Sequence, residues 1–275
     1  MSDYYTITKL SENAYRLTSK EYVYCELLVG SEKALLIDTG HGFGDLPGAV
    51  RKITDKPLII VNTHGHLDHT SGNAKFSEEV RLNEKDWELC KNHTSSIFRR
   101  NSAEGAKNGD GLPENFNLDE YATLGAGKIV PLHDGEVFDL GGVTVRAIAT
   151  PGHTRGSVSF FYEEEKWLYV GDEANATCWL YLKETTDRAT HVSSLDKLIA
   201  LSPVKMFGSH MPEPVGVEKM KLYRRAATEA DYEKGLPFES PFTGGVVART
   251  CIIDGLTLKD VENPQFASVV IGPDY

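Results

Sequence analysis

The sequence predicts an α/β fold of the four-layer αββα kind. Three observations predict it. Strand-like and helix-like runs come in blocks, in the order strands, helices, strands, helices, strands. The two β-then-α halves are similar, and such halves bury their sheets face to face with helices outside. The chain has 275 residues, 40% hydrophobic and 25% charged, with no short-period repeat and no linker. That is ordinary globular composition, so residues 1–275 read as one domain. Residues 211–275 form a helix-plus-strand extension that completes it.

AYRLTS (14–19), YVYCELLVG (22–30) and KALLIDTG (33–40) read as strands, rich in β-branched, aromatic and leucine residues and broken by turn signals. DLPGAVRKIT (45–54) reads as a short helix, and PLIIVNTH (57–64) as a buried strand. Residues 78–101 read as helix, with Val80, Trp87, Leu89, Cys90, Ile97 and Phe98 as its apolar positions. Residues 101–120 are polar and rich in Gly and Asn, so they read as a loop. Strands then return in EVFDLGG, VTVRAIATPGH, SVSFFYEE and KWLYVGD, with EEEK (163–166) as a hairpin turn. SSLDKLIALS (193–202) reads as a helix capped by Ser193, and VKMFGSH (204–210) as a buried strand. Residues 216–235 read as a helix with Met220, Tyr223, Ala227 and Ala230 on one face and Gly235 as its stop. VVARTCIIDGLTL and ASVVI read as a closing strand pair.

The formal net charge is −11 and the pI about 5.3. A phosphate-binding surface needs clustered Lys and Arg, so nucleic acid is not an expected partner. No apolar run approaches a membrane span. The start MSDYYTITKL lacks the pattern of a signal peptide. Cys25, Cys90, Cys178 and Cys251 are scattered, without CxxC spacing. They read as reduced thiols, and the expected location is cytoplasmic.

The chemistry concentrates in VNTHGHLDHTSGN, where His64, His66, Asp68 and His69 follow a buried strand. Residues two apart in extended chain point the same way, so His64 and His66 can reach one ion. Asp68 and His69 come after the chain turns and can reach a second. Imidazole with carboxylate suits zinc first, with iron, manganese or nickel as alternatives. His153 in ATPGHTRGS, Asp172 in WLYVGDEAN and His210 in VKMFGSH repeat the same grammar of apolar strand, small residue, ligand.

HGHLDH, PGHTRGS, the strand-ending VGD and GSH, and LLIDTG (35–40) together resemble the motifs of the metallo-β-lactamase superfamily, in order and spacing, over roughly residues 10–210. The resemblance implies the same αββα sandwich. It implies that His64, His66 and His153 hold one metal. Asp68, His69 and His210 would hold the second, with Asp172 bridging. Asp38 would orient loop and ligands without touching metal. His41, His93, His133 and His191 match no ligand position.

Two adjacent ions can activate a water for attack on a carbonyl or phosphoryl centre, with Asp68 as a proton shuttle. The expected activity is a metal-dependent hydrolase acting on a small ester, lactone or thioester. No GxSxG elbow offers a nucleophilic serine. EANATCWLYLKE, after Asp172, matches glutathione-binding thioesterases poorly. Trp179 and Tyr181, with Cys178 beside them, are candidates for an apolar substrate wall; core packing explains them equally well. The alternatives are an iron oxidoreductase on the same scaffold and a metal-binding protein without turnover. Residues 211–275 carry no motif; they cap the fold, shape the pocket or form a homodimer contact.

Overall fold

A computed structural model of the chain describes residues 4–107, 111–240 and 245–275. The chain divides into two compact units, residues 1–148 with 162–164, and residues 149–161 with 165–275.

The first unit opens with β1 (Tyr5–Lys9), β2 (Ala14–Ser19), β3 (Tyr24–Val29) and β4 (Ala34–Ile37), an antiparallel run. Helix α1 (Leu46–Arg51) crosses over to β5 (Leu58–Val61), which lies parallel to β4. After the short helix α2 (Leu67–Thr70) comes β6 (Val80–Leu82). Helices α3 (Trp87–His93), α4 (Ser96–Lys107) and α5 (Leu118–Thr123) precede β7 (Ile129–Pro131). Strands β1 to β7 form one seven-stranded sheet in chain order. The hairpin β8 (Val137–Asp139) and β9 (Thr144–Ala149) follows. Leu17, Leu27, Leu36, Ile60 and Val80 share one core cluster with Leu46 and Val50 of α1. Each such leucine buried stabilises the fold by about 1.5–3 kcal/mol.

The second unit holds β10 (Val158–Tyr162), β11 (Trp167–Tyr169), β12 (Thr177–Leu180), α6 (Arg188–Ala200), β13 (Lys205–Phe207), α7 (Val217–Glu229), β14 (Leu236–Glu239), β15 (Val246–Ile252) and β16 (Ser268–Ile271). Strands β13, β11 and β10 are neighbours in that order. The four-stranded sheet runs β12, β16, β15, β14. Helices α6 and α7 pack together, and Arg224 grips Asp196 with two bonds of 2.7 and 3.1 Å. The buried face of α7 is Met220, Tyr223, Ala226 and Ala227, a helical spacing.

Four sequence expectations need correction. Val80–Leu82 is a strand, because three residues alternating buried and half-buried are too short to display a period. The loop expected over 101–120 is largely helical: α4 runs to Lys107, and α5 is capped by Asn117, whose side chain accepts from Asp119 N and Glu120 N. Residues 108–110 of that stretch lie outside the described residues. Helix α6 begins at Arg188, well before the expected cap at Ser193, because Asp187 caps it by accepting from Thr190 N. Helix α7 ends at Glu229, and Gly235 instead closes a separate 3-10 turn at Tyr232–Lys234.

Candidate metal centre

Each unit gathers its own nitrogen and oxygen donors at strand ends. In the first unit, β4 and β5 are parallel, with Ile37 opposite Val61. Asp38 and the Asn62–Thr63 pair therefore leave the sheet side by side. Asp38 takes φ 63°, a left-handed conformation that costs a non-glycine residue about 1–2 kcal/mol. The turn aims its carboxylate at the histidine loop. Oδ1 accepts from Thr63 N at 2.7 Å. Oδ2 accepts from Thr63 Oγ1 at 2.8 Å and from His69 Nδ1 at 2.8 Å.

These bonds fix two tautomers. His69 carries its proton on Nδ1, so Nε2 presents a lone pair. The Thr63 hydroxyl, having given its proton to Asp38, accepts from His64 Nδ1 at 3.0 Å, which leaves the lone pair of His64 on Nε2 as well. His64 Nε2 then lies 3.0 Å from His66 Nδ1. His69 Nε2 lies 3.4 Å from Asp68 Oδ2. The loop thus makes two donor pairs, one of two imidazoles and one of imidazole and carboxylate.

The loop is held from behind. His66 is the first residue outside α2, and Thr70 Oγ1 bonds back to its carbonyl at 2.9 Å. A Cβ on Gly72 would meet Thr39 O at 2.2 Å, so only glycine lets these two segments pass. Arg99, fully buried, donates to Ser71 O at 3.0 Å and Gly125 O at 2.9 Å. Burial lowers its proton affinity, and Tyr121, its ring 4.8 Å from the guanidinium, opposes that effect. Sequence reading misses Arg99, since nothing marks a buried arginine inside a polar helix.

In the second unit, β11 and β13 are parallel, with Tyr169 opposite Phe207. Asp172 and His210 each stand three residues beyond that pair, and Ser209 N bonds Gly171 O at 3.0 Å. Asp172 Oδ2 lies 3.3 Å from His210 Nε2 and 3.8 Å from His153 Nε2. His153 Nδ1 donates to Trp179 O at 2.8 Å, so its Nε2 also presents a lone pair. His153 N donates to Glu173 Oε2 at 2.9 Å. Glu173 is buried, and burial raises its proton affinity well above the usual carboxylate range, with the bond from His153 N opposing.

His191, which matches no ligand position, is buried. Its Nε2 donates to Glu173 O at 3.1 Å, and Nδ1 pairs with Tyr275 Oη at 3.0 Å. Burial lowers it to about 4, against the bond to Glu173 O. The sequence signal was available: His191 falls on the apolar face of α6 with Ser194, Leu195 and Leu198. Cys178 leaves the expected substrate wall. It is buried, with Sγ bonded to Asp172 O at 3.3 Å, while Trp179 and Tyr181 are half-buried on the other face of β12. Burial, then Glu173 and Asp172, push its thiol up, away from the thiolate form a nucleophile needs. His93 stacks between His66 and Phe98 at 5.2 and 4.7 Å. His41 stacks on Phe43, and His133 is exposed.

Imidazoles of His64, His69 and His153 whose Nδ1 atoms are held by hydrogen bonds, set beside further imidazoles and carboxylate oxygens, are groupings compatible with a divalent metal ion. The Metallo-beta-lactamase superfamily model matches residues 19–210. The chain belongs to that superfamily. Human acyl-coenzyme A thioesterase MBLAC2 is 25% identical over 192 residues, covering 64% of this chain and 66% of its own length. The atrochrysone carboxyl ACP thioesterase of Aspergillus terreus is 28% identical over 167 residues, covering 59% of this chain and 42% of its own. The matches therefore span less than two thirds of these relatives. Among solved structures, a metallo-beta-lactamase superfamily protein of Sulfolobus tokodaii is 21% identical, covers 90% of each chain and has a TM-score of 0.53. A metallo-beta-lactamase family protein of Thermus thermophilus is 25% identical, covers 79% of this chain and 81% of its own, and has a TM-score of 0.58. The fold is accordingly the mixed α/β fold of metallo-β-lactamases.

Proposed function

We propose that this chain is a metal-dependent hydrolase of small-molecule thioesters. His64, His66 and His153 would hold one divalent ion, and Asp68, His69 and His210 a second, with Asp172 shared. Zinc is the first candidate, and iron, manganese or nickel are the alternatives. The observation that carries the reading is the Asp38 carboxylate, which sets the tautomers of both His69 and, through Thr63, His64. A buried carboxylate in a left-handed turn has that use only if the opposite ring nitrogens have work to do. The thioester comes from the named activities of MBLAC2 and the fungal ACP thioesterase, and it narrows the ester, lactone or thioester expected from sequence. We also take residues 1–275 as a single domain completed by residues 211–275.

When bound, the ions would bring the pKa of water toward neutrality and polarise the thioester carbonyl. The residues of the chain do the rest. Asp38 and Trp179 O keep the imidazoles in register. Asp68, a quarter exposed, has one oxygen near His69 and reach into solvent. It would carry the proton released by the attacking water to the leaving sulfur. A C–O bond forms, the C–S bond breaks, and the products are a carboxylic acid and a thiol. Among the described residues no helix is long and apolar enough to cross a membrane.

The test is metal analysis of the native protein with a panel of acyl thioesters, lactones, phosphodiesters and β-lactams. Two zinc ions per chain and thioester turnover are expected. Iron with dioxygen uptake would sink the hydrolase in favour of an oxidoreductase. No turnover by metal-replete protein, with His66→Ala still losing metal, would leave a binding protein.

A further inference from the structure

The sheet that carries Trp179 has one face the hydrolytic chemistry does not require. Trp179 in β12 points opposite to Cys178 and Leu180, which are buried, and Tyr181, just past the strand, meets it on that side. The register extends that face across the sheet: Trp179 pairs with Val270, Val270 with Thr250, and Thr250 with Leu236. Alternation places Phe238 on the face of Leu236, opposite Ala248, which shares the face of Thr250. Beyond Phe238 the register shifts, and Val246 pairs with Glu239.

Strands β12 and β14 are not neighbours in the sheet order, yet their rings meet. Phe238 lies 5.5 Å from Trp179 and 5.3 Å from Tyr181, and Trp179 lies 5.9 Å from Tyr181. The sheet therefore curls around this face, over the small Ala248. All three rings are half-buried, while Leu236 is 46% exposed. Val270, Thr250 and Ala248 beneath the rings are buried. A cluster of half-buried rings on a curled sheet, with an exposed apolar edge at Leu236, offers contact to an apolar ligand. Its position names the ligand. The same Trp179 whose ring heads the wall uses its carbonyl to fix His153 at 2.8 Å. A substrate whose reacting carbonyl sits at His153 lays its adjoining group along these rings.

We infer that this face is the acyl-chain subsite of the substrate, running from Trp179 past Tyr181 and Phe238 toward Leu236. Phe238 is its specificity-determining residue, since it touches both other rings from the far strand. The inference rests on the thioester reading above, and the acyl chain it accepts is apolar.

The experiment titrates butanoate, hexanoate and octanoate, the acids such hydrolysis would release, into the metal-loaded full-length protein by calorimetry. Burying a methylene strengthens binding about fourfold, so each two-carbon step should lower Kd about 16-fold. Phe238→Ala should flatten the steps to about twofold or less, and Phe238→Leu should keep an intermediate slope, which guards against a misfolded alanine variant. Val204→Ala, exposed elsewhere in the second unit, should keep the wild-type slope. A flat wild-type series, or a slope untouched by Phe238→Ala in a folded protein, overturns the inference. Thioester hydrolysis on the same preparations separates the two readings. A flat series with active thioesterase overturns the subsite alone. A Phe238-dependent slope with no thioester cleaved overturns the hydrolase reading and supports an apolar-acid site.

Discussion

Replacing Asp38 with Asn changes one oxygen to an NH2 group and should weaken the hold on both proposed ions. Asparagine tolerates the left-handed backbone at φ 63°, so the turn survives. The backbone N–H of Thr63 lies 2.7 Å from Oδ1 and cannot rotate, so the amide oxygen must face it. The amide nitrogen then falls where Oδ2 now accepts from His69 Nδ1 and Thr63 Oγ1. A donor there forces His69 to move its proton to Nε2. It also turns the Thr63 hydroxyl toward His64 Nδ1, 3.0 Å away, and pushes that proton to Nε2 as well. One atom thus blunts a ligand of each ion. Loss of such an orienting partner typically costs 10–100-fold in metal affinity, so about that loss is expected at each ion. The metal-free protein should lose about 1.5–3 kcal/mol, the worth of a charge-assisted bond. Competition against a chromophoric chelator reads the affinities, and nitrogen-15 shifts of the imidazoles read the tautomers. Wild-type affinity for both ions in a folded Asp38→Asn protein would refute the tautomer argument.

Asp172→Ala should reduce occupancy of both ions rather than one, because the carboxylate is proposed as shared; elemental analysis still giving two per chain would show that it is not. Gly152→Ala should displace the His153 loop, since a Cβ there would meet Glu173 Oε1 at 2.0 Å and His191 Cδ2 at 2.5 Å; thermal melts and metal binding should both fall, and an unchanged melt would be contrary. His191 is held at about 4 in the fold against 6.5 unfolded. Between those values the unfolded chain binds the extra proton, so stability is full above about pH 6.5 and falls on acidification toward pH 4, by about 3 kcal/mol. Metal-free His191→Gln should show a shallower loss over that window in urea titrations, and equal slopes would exclude His191 as the cause. Arg99→Met should release the Ser71 carbonyl and loosen the α2 loop, seen as faster amide exchange at residues 66–71, with the far strands unaffected; unchanged exchange there would show that Arg99 does not brace the loop.

Patterns confined to one segment were legible in the sequence. The four-residue strand β5 ending at Val61 is an apolar run, and the donors crowded after it are a local cluster. Helix α7 shows its buried face as Met220, Tyr223 and Ala227. Elements shorter than a period were not legible, as β6 shows. That Cys178 faces away from Trp179 and Tyr181 was not legible for a related reason: neighbours in sequence on a strand face opposite sides, and which side looks inward is set by the sheet, not by the strand.

By itself the sequence determined the family and the donor chemistry, because imidazoles and carboxylates at strand ends are written in residue type and spacing. Only the tertiary structure decided which nitrogen of His69 and of His153 carries the lone pair, because a tautomer depends on a partner far away in the chain: Asp38 for His69, Trp179 for His153. It alone placed Phe238 against Trp179, buried His191 behind Glu173 and tied Arg99 to the carbonyl of Ser71. Those contacts join residues remote in sequence, and no local pattern encodes them.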